Sequence, residues 1–335
     1  MALTIKTIAK MANVSCTTVS RVLNNKADVN EETRARILEL IEKYQFQPNV
    51  FARGIQSNKS NCIGLIIPRE LDYIMTNSFY AEIIRGIVHE LNGRGYYLLF
   101  CNTAKHDDIM NIYRQRRVDG FIMIRLGACD KDIINVLKSI EAPFAATTTV
   151  QGEDAMLHVD IDNYRSACMA VEHLISLGHR RIGMIAASNS LINSRQRLAA
   201  FRDTMNKHQL PYDDRFVTED DTSMRGGYEA MKRMLRLDDG PTAMFVAGDI
   251  MALGALRAIK EAGKCVPEDI SVIGFDGIPE SEYTDPPLTT IRQPIFEKGQ
   301  KAAAMLIDLL EGQTDIQPVT MEAQLIVRAS TAKPL

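Results

Sequence analysis

Apolar residues in the first 45 positions recur three and four apart, the period of an amphipathic helix. Ile5, Ile8, Ala9 and Ala12 share one face behind Thr4, whose hydroxyl can cap a helix start. Asn13 follows, a residue type that tolerates positive φ where a helix must stop and turn. Ser15 then caps a second predicted helix over residues 16–23, with Val19, Val22 and Leu23 facing inward. A third is expected from the cap-like Asn30 to about Tyr44, with Glu31 and Glu32 suited to its positive end. Two helices joined by a tight turn, the second exposing Cys16, Thr17, Ser20, Arg21 and Asn24, form a helix-turn-helix candidate. An unspecialised three-helix bundle is the plain alternative.

Pro48-Asn49 breaks the pattern; residues 50–56 carry Ala52 and Ile55 three apart, and the polar run 57–61 reads as a linker. From Cys62 onward short β-branched runs alternate with longer helical patterns. Strands are predicted at 63–67, 96–101, 120–124 and 144–147, with helices over 80–91 and 130–140. After Asp160 the alternation resumes with a helix over 164–177 and strands at 181–185, 243–246 and 271–274, helices lying between them. Continuous apolar strands separated by helices imply parallel sheets covered on both faces. Two blocks of similar size imply two doubly wound α/β lobes, whose ligands sit off the carboxyl ends of strands.

Charge sharpens the division. The net charge of −3 splits into +4 over residues 1–60 and −7 over the rest, so a polyanion is expected to meet the helical head only. The six cysteines form no C-x-x-C pair, and the first residues contain no apolar signal core. A reduced, cytoplasmic protein without a membrane span is therefore expected. Catalytic signatures are missing: there is no G-x-S-x-G, His89-Glu90 has no second histidine to complete H-E-x-x-H, and Gly93-Arg94-Gly95 lacks a third glycine. No enzyme, metal or cofactor is expected.

Ten segments, in order, then carry a resemblance over essentially the whole chain: TIKTIAKMANVSCTTVSRVLN, QFQPNVFARGI, GLIIP, NSFYAEIIRGI, RRVDGFI, LISLGHRRIGMI, VAGDIMALGALRAI, ISVIGFDGIPES, PPLTTIRQP and LIVRASTA. They resemble the lactose/galactose repressor (LacI/GalR) family. The resemblance implies a helix-turn-helix head at 1–46 and a hinge helix and linker at 47–61. It further implies a periplasmic-binding-protein-like body, with one lobe at 62–160 plus 293–320 and the other at 161–292 plus 321–335. The function implied is a homodimeric repressor of carbohydrate-utilisation genes, binding double-stranded operator DNA under control of a sugar or glycoside held between the lobes. The chain ends at Leu335 without a leucine-heptad tail, so a dimer and no higher assembly is expected.

Residue by residue, the resemblance assigns DNA contacts to Thr4, Ser15, Cys16, Thr17, Ser20, Arg21 and Asn24, and to Asn49, Ala52 and Ile55 of the hinge. Arg21 is the expected guanine reader, because a guanidinium fork fits O6 and N7 together. Phe46 stands where tyrosine is common, which removes a hydroxyl–phosphate contact. Effector contacts fall to Phe79, Thr148, Arg197, Thr222, Gly248, Asp249 and Asp276. For Arg197 and Asp276 the plainer alternative is an interlobe salt bridge, and for Phe79 core packing. Thr148 replaces an acid and Gly248 an asparagine, so the site is expected to be larger and less polar than a monosaccharide requires, which favours a disaccharide-sized glycoside. Two rivals keep the same body: a regulator controlled by a phosphocarrier protein, and a sugar-binding transport component, which would need an export signal and no DNA-binding head.

The hinge yields a test. Residues 50–56 are too few for a stable isolated helix, so they should order only on operator DNA, with Ile55 wedged between base steps. Ile55→Ala should weaken binding to a specific site far more than to random duplex in a fluorescence-anisotropy titration. Equal losses on both duplexes would contradict the wedge.

Overall fold

The computed structural model describes residues 4–23, 26, 28–46, 59–67, 74–101, 106–124, 131–150, 152 and 156–335. It divides between Ser60 and Asn61 into a small helical unit and a large α/β unit.

The helical unit contains α1 (Ile5–Met11), α2 (Cys16–Leu23) and α3 (Glu31–Lys43). Each start is capped as its sequence requires. Thr4 and Thr7 form a reciprocal capping box on α1, the Thr18 amide donates to Ser15 Oγ at 3.0 Å, and the Glu32 amide donates to Asn30 Oδ1 at 2.8 Å. Asn13 takes φ 53°, so the left-handed residue expected of the turn is there. Ile8, Ala9, Ala12, Val19, Val22 and Ile37 fill the core, and Phe46 packs with them. Burial of its ring accounts for the apolar residue at position 46 without any appeal to a phosphate.

The large unit begins at β1 (Cys62–Ile66) and continues through α4 (Ser78–Gly93), β2 (Tyr97–Cys101), α5 (His106–Arg114), β3 (Gly120–Met123), α6 (Lys131–Ser139) and β4 (Phe144–Ala146). These strands make a parallel sheet in the order β2-β1-β3-β4. Successive residues of a strand point to opposite faces, so Ile63 and Leu65 pack under α4 with Ile83, Ile87 and Leu91. Phe121 and Met123 pack on the other face with Ile133, Ile134 and Leu137.

The second sheet uses β6 (Ile182–Ala186), β7 (Val217–Glu219), β8 (Ala243–Val246), β9 (Ser271–Asp276), β10 (Thr289–Arg292) and β12 (Gln324–Ile326), in the order β12-β10-β9-β8-β6-β7. Helices α7 (Asn163–Ser176) and α8 (Ile192–Lys207) cover one face, with Val171, Leu174 and Phe201 inward. The other face is covered by α9 (Met224–Met234) and α10 (Asp249–Glu261), with Met231, Met234 and Ile259 inward. The expected parallel sheets are present, with one departure: β12 pairs antiparallel with β10 at the sheet edge. An edge strand needs only one neighbour, and a returning chain can supply it in either direction.

The chain passes between the sheets three times: through β5 (Val159–Ile161), between β10 and α11 (Ile295–Leu310), and through β11 (Val319–Met321). Strands β5 and β11 pair with each other in parallel, Thr320 opposite Asp160. The lobe boundaries expected at 160 and 320 fall inside this two-stranded ladder, which belongs wholly to neither sheet. The sequence pattern predicts no strand at β5, β7, β10, β11 or β12, which are three or four residues long.

Helix α11 lies against α4 at very close approach. A Cβ on Gly86 would stand 1.9 Å from the Phe296 carbonyl oxygen, and one on Gly299 would stand 2.1 Å from that of Ile83. Gly86→Ala should therefore force the two helices apart and cost about 1–3 kcal/mol in chemical denaturation. Gly93→Ala, where a Cβ meets nothing within 4 Å, should leave stability unchanged or raised. Equal effects from the two substitutions would show that the helix contact is loose.

Candidate functional site

In the head, α2 turns Val19 and Val22 inward and leaves Cys16, Thr17 and Arg21 exposed, with Ser20 half-buried. Thr4 and Ser15 are spent on capping, so their hydroxyls serve the fold as well as any contact outside it. Arg21 pairs with Asp28 at 3.2 Å, both side chains more than half exposed. An exposed pair of this kind is worth about 0–1 kcal/mol, so the guanidinium can leave it at little cost. Asn24, Asn49, Ala52 and Ile55 lie outside the described residues.

In the large unit, a cleft opens where the carboxyl ends of both sheets meet. Both sheets reverse strand order beside their first strand, at β1/β3 and at β6/β8, the place where such sheets receive ligands. One wall carries Asn77, Phe79, Thr147, Thr148 and Lys298; the other carries Asn193, Arg197, Thr222, Gly248, Asp276 and, at the crossing, Gln293.

Arg197 reaches the cleft from α8 and is almost fully buried. Its Nε and Nη2 donate to Asn163 Oδ1 at 3.1 and 2.8 Å, and its Nη1 donates to the Ala247 carbonyl at 2.7 Å. The guanidinium carbon stands 3.6 Å from the Phe275 ring centroid, which fixes the plane of the fork. Asp276 Oδ1 lies 3.8 Å from Arg197 Nη1 and accepts from Gln293 Nε2 at 2.7 Å. Both partners of the Arg197–Asp276 pair belong to the six-stranded lobe, so it does not tie the lobes together.

Asp276 has φ 126° and Gly277 φ 75°, so the strand end turns abruptly and presents the carboxylate. Asp249 holds that turn. It does not line the cleft but sits behind it, fully buried, where Oδ2 accepts from the Gly277 and Ile278 amides at 2.7 and 3.0 Å. Its Oδ1 accepts from Thr290 Oγ1 at 2.6 Å. Burial, and then the neighbouring charge of Asp276, push the Asp249 carboxyl up to about 7.

Of the effector residues expected from sequence, Phe79, Thr148, Arg197, Thr222, Gly248 and Asp276 converge on this cleft, and Asp249 does not. Phe79 also packs against the core beside it, edge-on to Tyr80 with ring centroids 5.7 Å apart. Asn77, Asn193, Gln293 and Lys298 add polar groups beside Thr148 and Gly248, so the walls are more polar than expected. Nor is the cleft large: its free space is about 30 Å³, room for a water or two.

Sequence reasoning missed Lys298 and its partner Asp160. Lys298 Nζ donates to Asp160 Oδ1 at 2.8 Å, both side chains only 4% exposed. The signal was there: Lys298 shares a helix face with Ala302 and Met305, so it places a charge in an apolar stripe. Burial raises the Asp160 carboxyl, but Lys298 and two backbone amides outweigh it and hold it below the ordinary range. Among the described residues, no group of three acid, histidine or cysteine side chains could hold a metal ion.

Comparison with known proteins agrees with this geometry. Residues 4–49 match the family model "Bacterial regulatory proteins, lacI family", and residues 171–331 match "Periplasmic binding protein-like domain". The HTH-type transcriptional repressor PurR of Actinobacillus pleuropneumoniae serotype 3 is 32% identical over 334 residues, covering 98% of each chain. The lac repressor dimer bound to operator and the anti-inducer ONPF superposes with a TM-score of 0.87 at 28% identity, covering 99% of this chain and 100% of that one. The transcriptional regulator CelR in complex with cellobiose gives a TM-score of 0.76 at 28% identity, covering 98% and 99%. The chain thus belongs to the LacI family of bacterial regulatory proteins, as a DNA-binding transcriptional regulator with an effector-binding body.

Proposed function

We propose that the protein is a homodimeric repressor of carbohydrate-utilisation genes, acting in the cytoplasm on a pseudo-palindromic operator and controlled by a sugar or glycoside in the cleft. The observation that carries this reading is the convergence of Arg197 and Asp276 from one lobe with Phe79 and Thr148 from the other. A guanidinium and a carboxylate side by side can grip vicinal hydroxyls, one donating and one accepting, and an aromatic face can cover the ring's C–H side. The cellobiose bound by the relative CelR and the operator-bound dimer of the lac repressor support the same assignment. No described helix is long and apolar enough to cross a membrane.

The mechanism follows from linkage. Effector and operator each favour one arrangement of the lobes, so each must change the other's affinity by the same factor. The charged pair is preformed by Asn163, Ala247, Phe275 and Gln293, so binding need not organise it. The chemistry is recognition: Arg197, Asp276 and Gln293 are held in place by hydrogen bonds within the walls.

Two sets of variants test the two ends. Arg21→Ala should cost about 1–3 kcal/mol on the cognate operator and relax preference at one base pair per half-site, measured by competition binding to single-base operator variants. Unchanged affinity would remove α2 from base reading. Arg197→Ala and Asp276→Ala should each weaken effector binding about 10–100-fold in calorimetry, while the effector-free variants still bind operator. Parent-like effector affinity in both would move the ligand site elsewhere.

A further inference from the structure

One buried group in the cleft is not needed to bind a neutral sugar. Lys298 projects from the first turn of α11 into the wall opposite Arg197. Among the described residues its ammonium donates a single hydrogen bond, to Asp160, although it carries three N–H groups. Asp160 does not depend on it alone. Its Oδ2 accepts from Thr148 Oγ1 at 3.1 Å and the Thr149 amide at 2.9 Å, and its Oδ1 from the Ile161 amide at 2.8 Å and Asn163 Nδ2 at 3.4 Å. The carboxylate's charge is thus shared among five donors, while the ammonium's is met by one acceptor.

A buried ion pair is a poor device for stability, because the loss of hydration offsets most of the attraction. Its position makes the cation more costly still. Lys298 stands in the first turn of a 16-residue helix, where the helix dipole is positive and Pro294 provides no side-chain cap. A second anion there would satisfy the spare N–H groups and balance the ammonium, beside the one acid, Glu297, that the turn already carries.

We propose that the effector is acidic, a sugar acid or sugar phosphate whose anionic group lodges on Lys298 while Arg197 and Asp276 take its hydroxyls. This rests on the cleft being the effector site. In this reading the ligand's charged end meets Lys298 and its hydroxyls meet Arg197 and Asp276, all of which line the cleft.

The test is calorimetry and thermal shift on the full chain with matched triplets of glucose, galactose and cellobiose: neutral sugar, terminal carboxylate and terminal phosphate. In at least one triplet a charged member should bind ten-fold or more tightly than its neutral parent, the carboxylate and phosphate arms separating the two sources. Lys298→Met should erase that preference. Because the single variant leaves Asp160 buried and short of a cation, Asp160→Asn/Lys298→Met is measured beside it and should fold and also bind acid and neutral alike. A neutral sugar bound as tightly as its acids overturns the acidic effector and leaves the cleft a sugar site. Binding by no member of any triplet, or charged-sugar binding that survives Arg197→Ala, overturns both.

Discussion

The Asp160 carboxylate, buried where the chain crosses between the two sheets, accepts donors from both lobes at once. Lys298 reaches it from α11, Thr148 and Thr149 from the end of β4, and Asn163 from the start of α7. Asn163 in turn accepts both inner nitrogens of Arg197, which stands beside Asp276. A continuous polar path therefore runs under the cleft from Lys298 to Asp276. Parallel sheets need covered faces, and here the chain crosses between the two of them three times. The β5–β11 ladder and this carboxylate supply the fixed point, and the positions of the charged walls follow from it.

Strain at the cleft is held by a second buried acid. Asp276 adopts a positive φ that a side chain disfavours at a cost of about 1–3 kcal/mol. The turn persists because Asp249 binds the two amides that follow it and Thr290 of the adjacent strand. Gly248 is the N-cap of α10 in extended backbone, and a Cβ there would meet Asp276 only at an ordinary 3.5 Å. The two acids have different work: Asp276 presents charge to the cleft, and Asp249 spends its oxygens on the backbone behind it. That separation is why only one of them can meet a ligand.

The head obeys simpler physics. Its core is made by three capped helices, and its outward residues are the ones that the inward residues leave over. Arg21 makes a weak exposed pair with Asp28. The head's excess of positive charge on an otherwise acidic chain gives attraction to a polyanion.

The sequence by itself determined the periodic elements: three short helices with their caps and the left-handed Asn13, and the alternation of apolar strands and helices that makes two parallel sheets. Ten segments in family order also named residues expected to meet DNA and effector, and six of the latter line the cleft. Tertiary structure alone decided the rest. Asp249 and Asp276 are both acids near strand ends, and only the folded turn sends one into the cleft and the other behind it. Lys298 and Asp160 lie 138 residues apart, and neither has local meaning until α11 packs on the first sheet and β5 enters the crossing. Short strands such as β11 and β12 carry too few residues for a pattern and exist because a partner strand waits for them. Periodicity is a local property, readable along the chain; the pairing of buried charges is not, because burial is decided by what comes to lie on top.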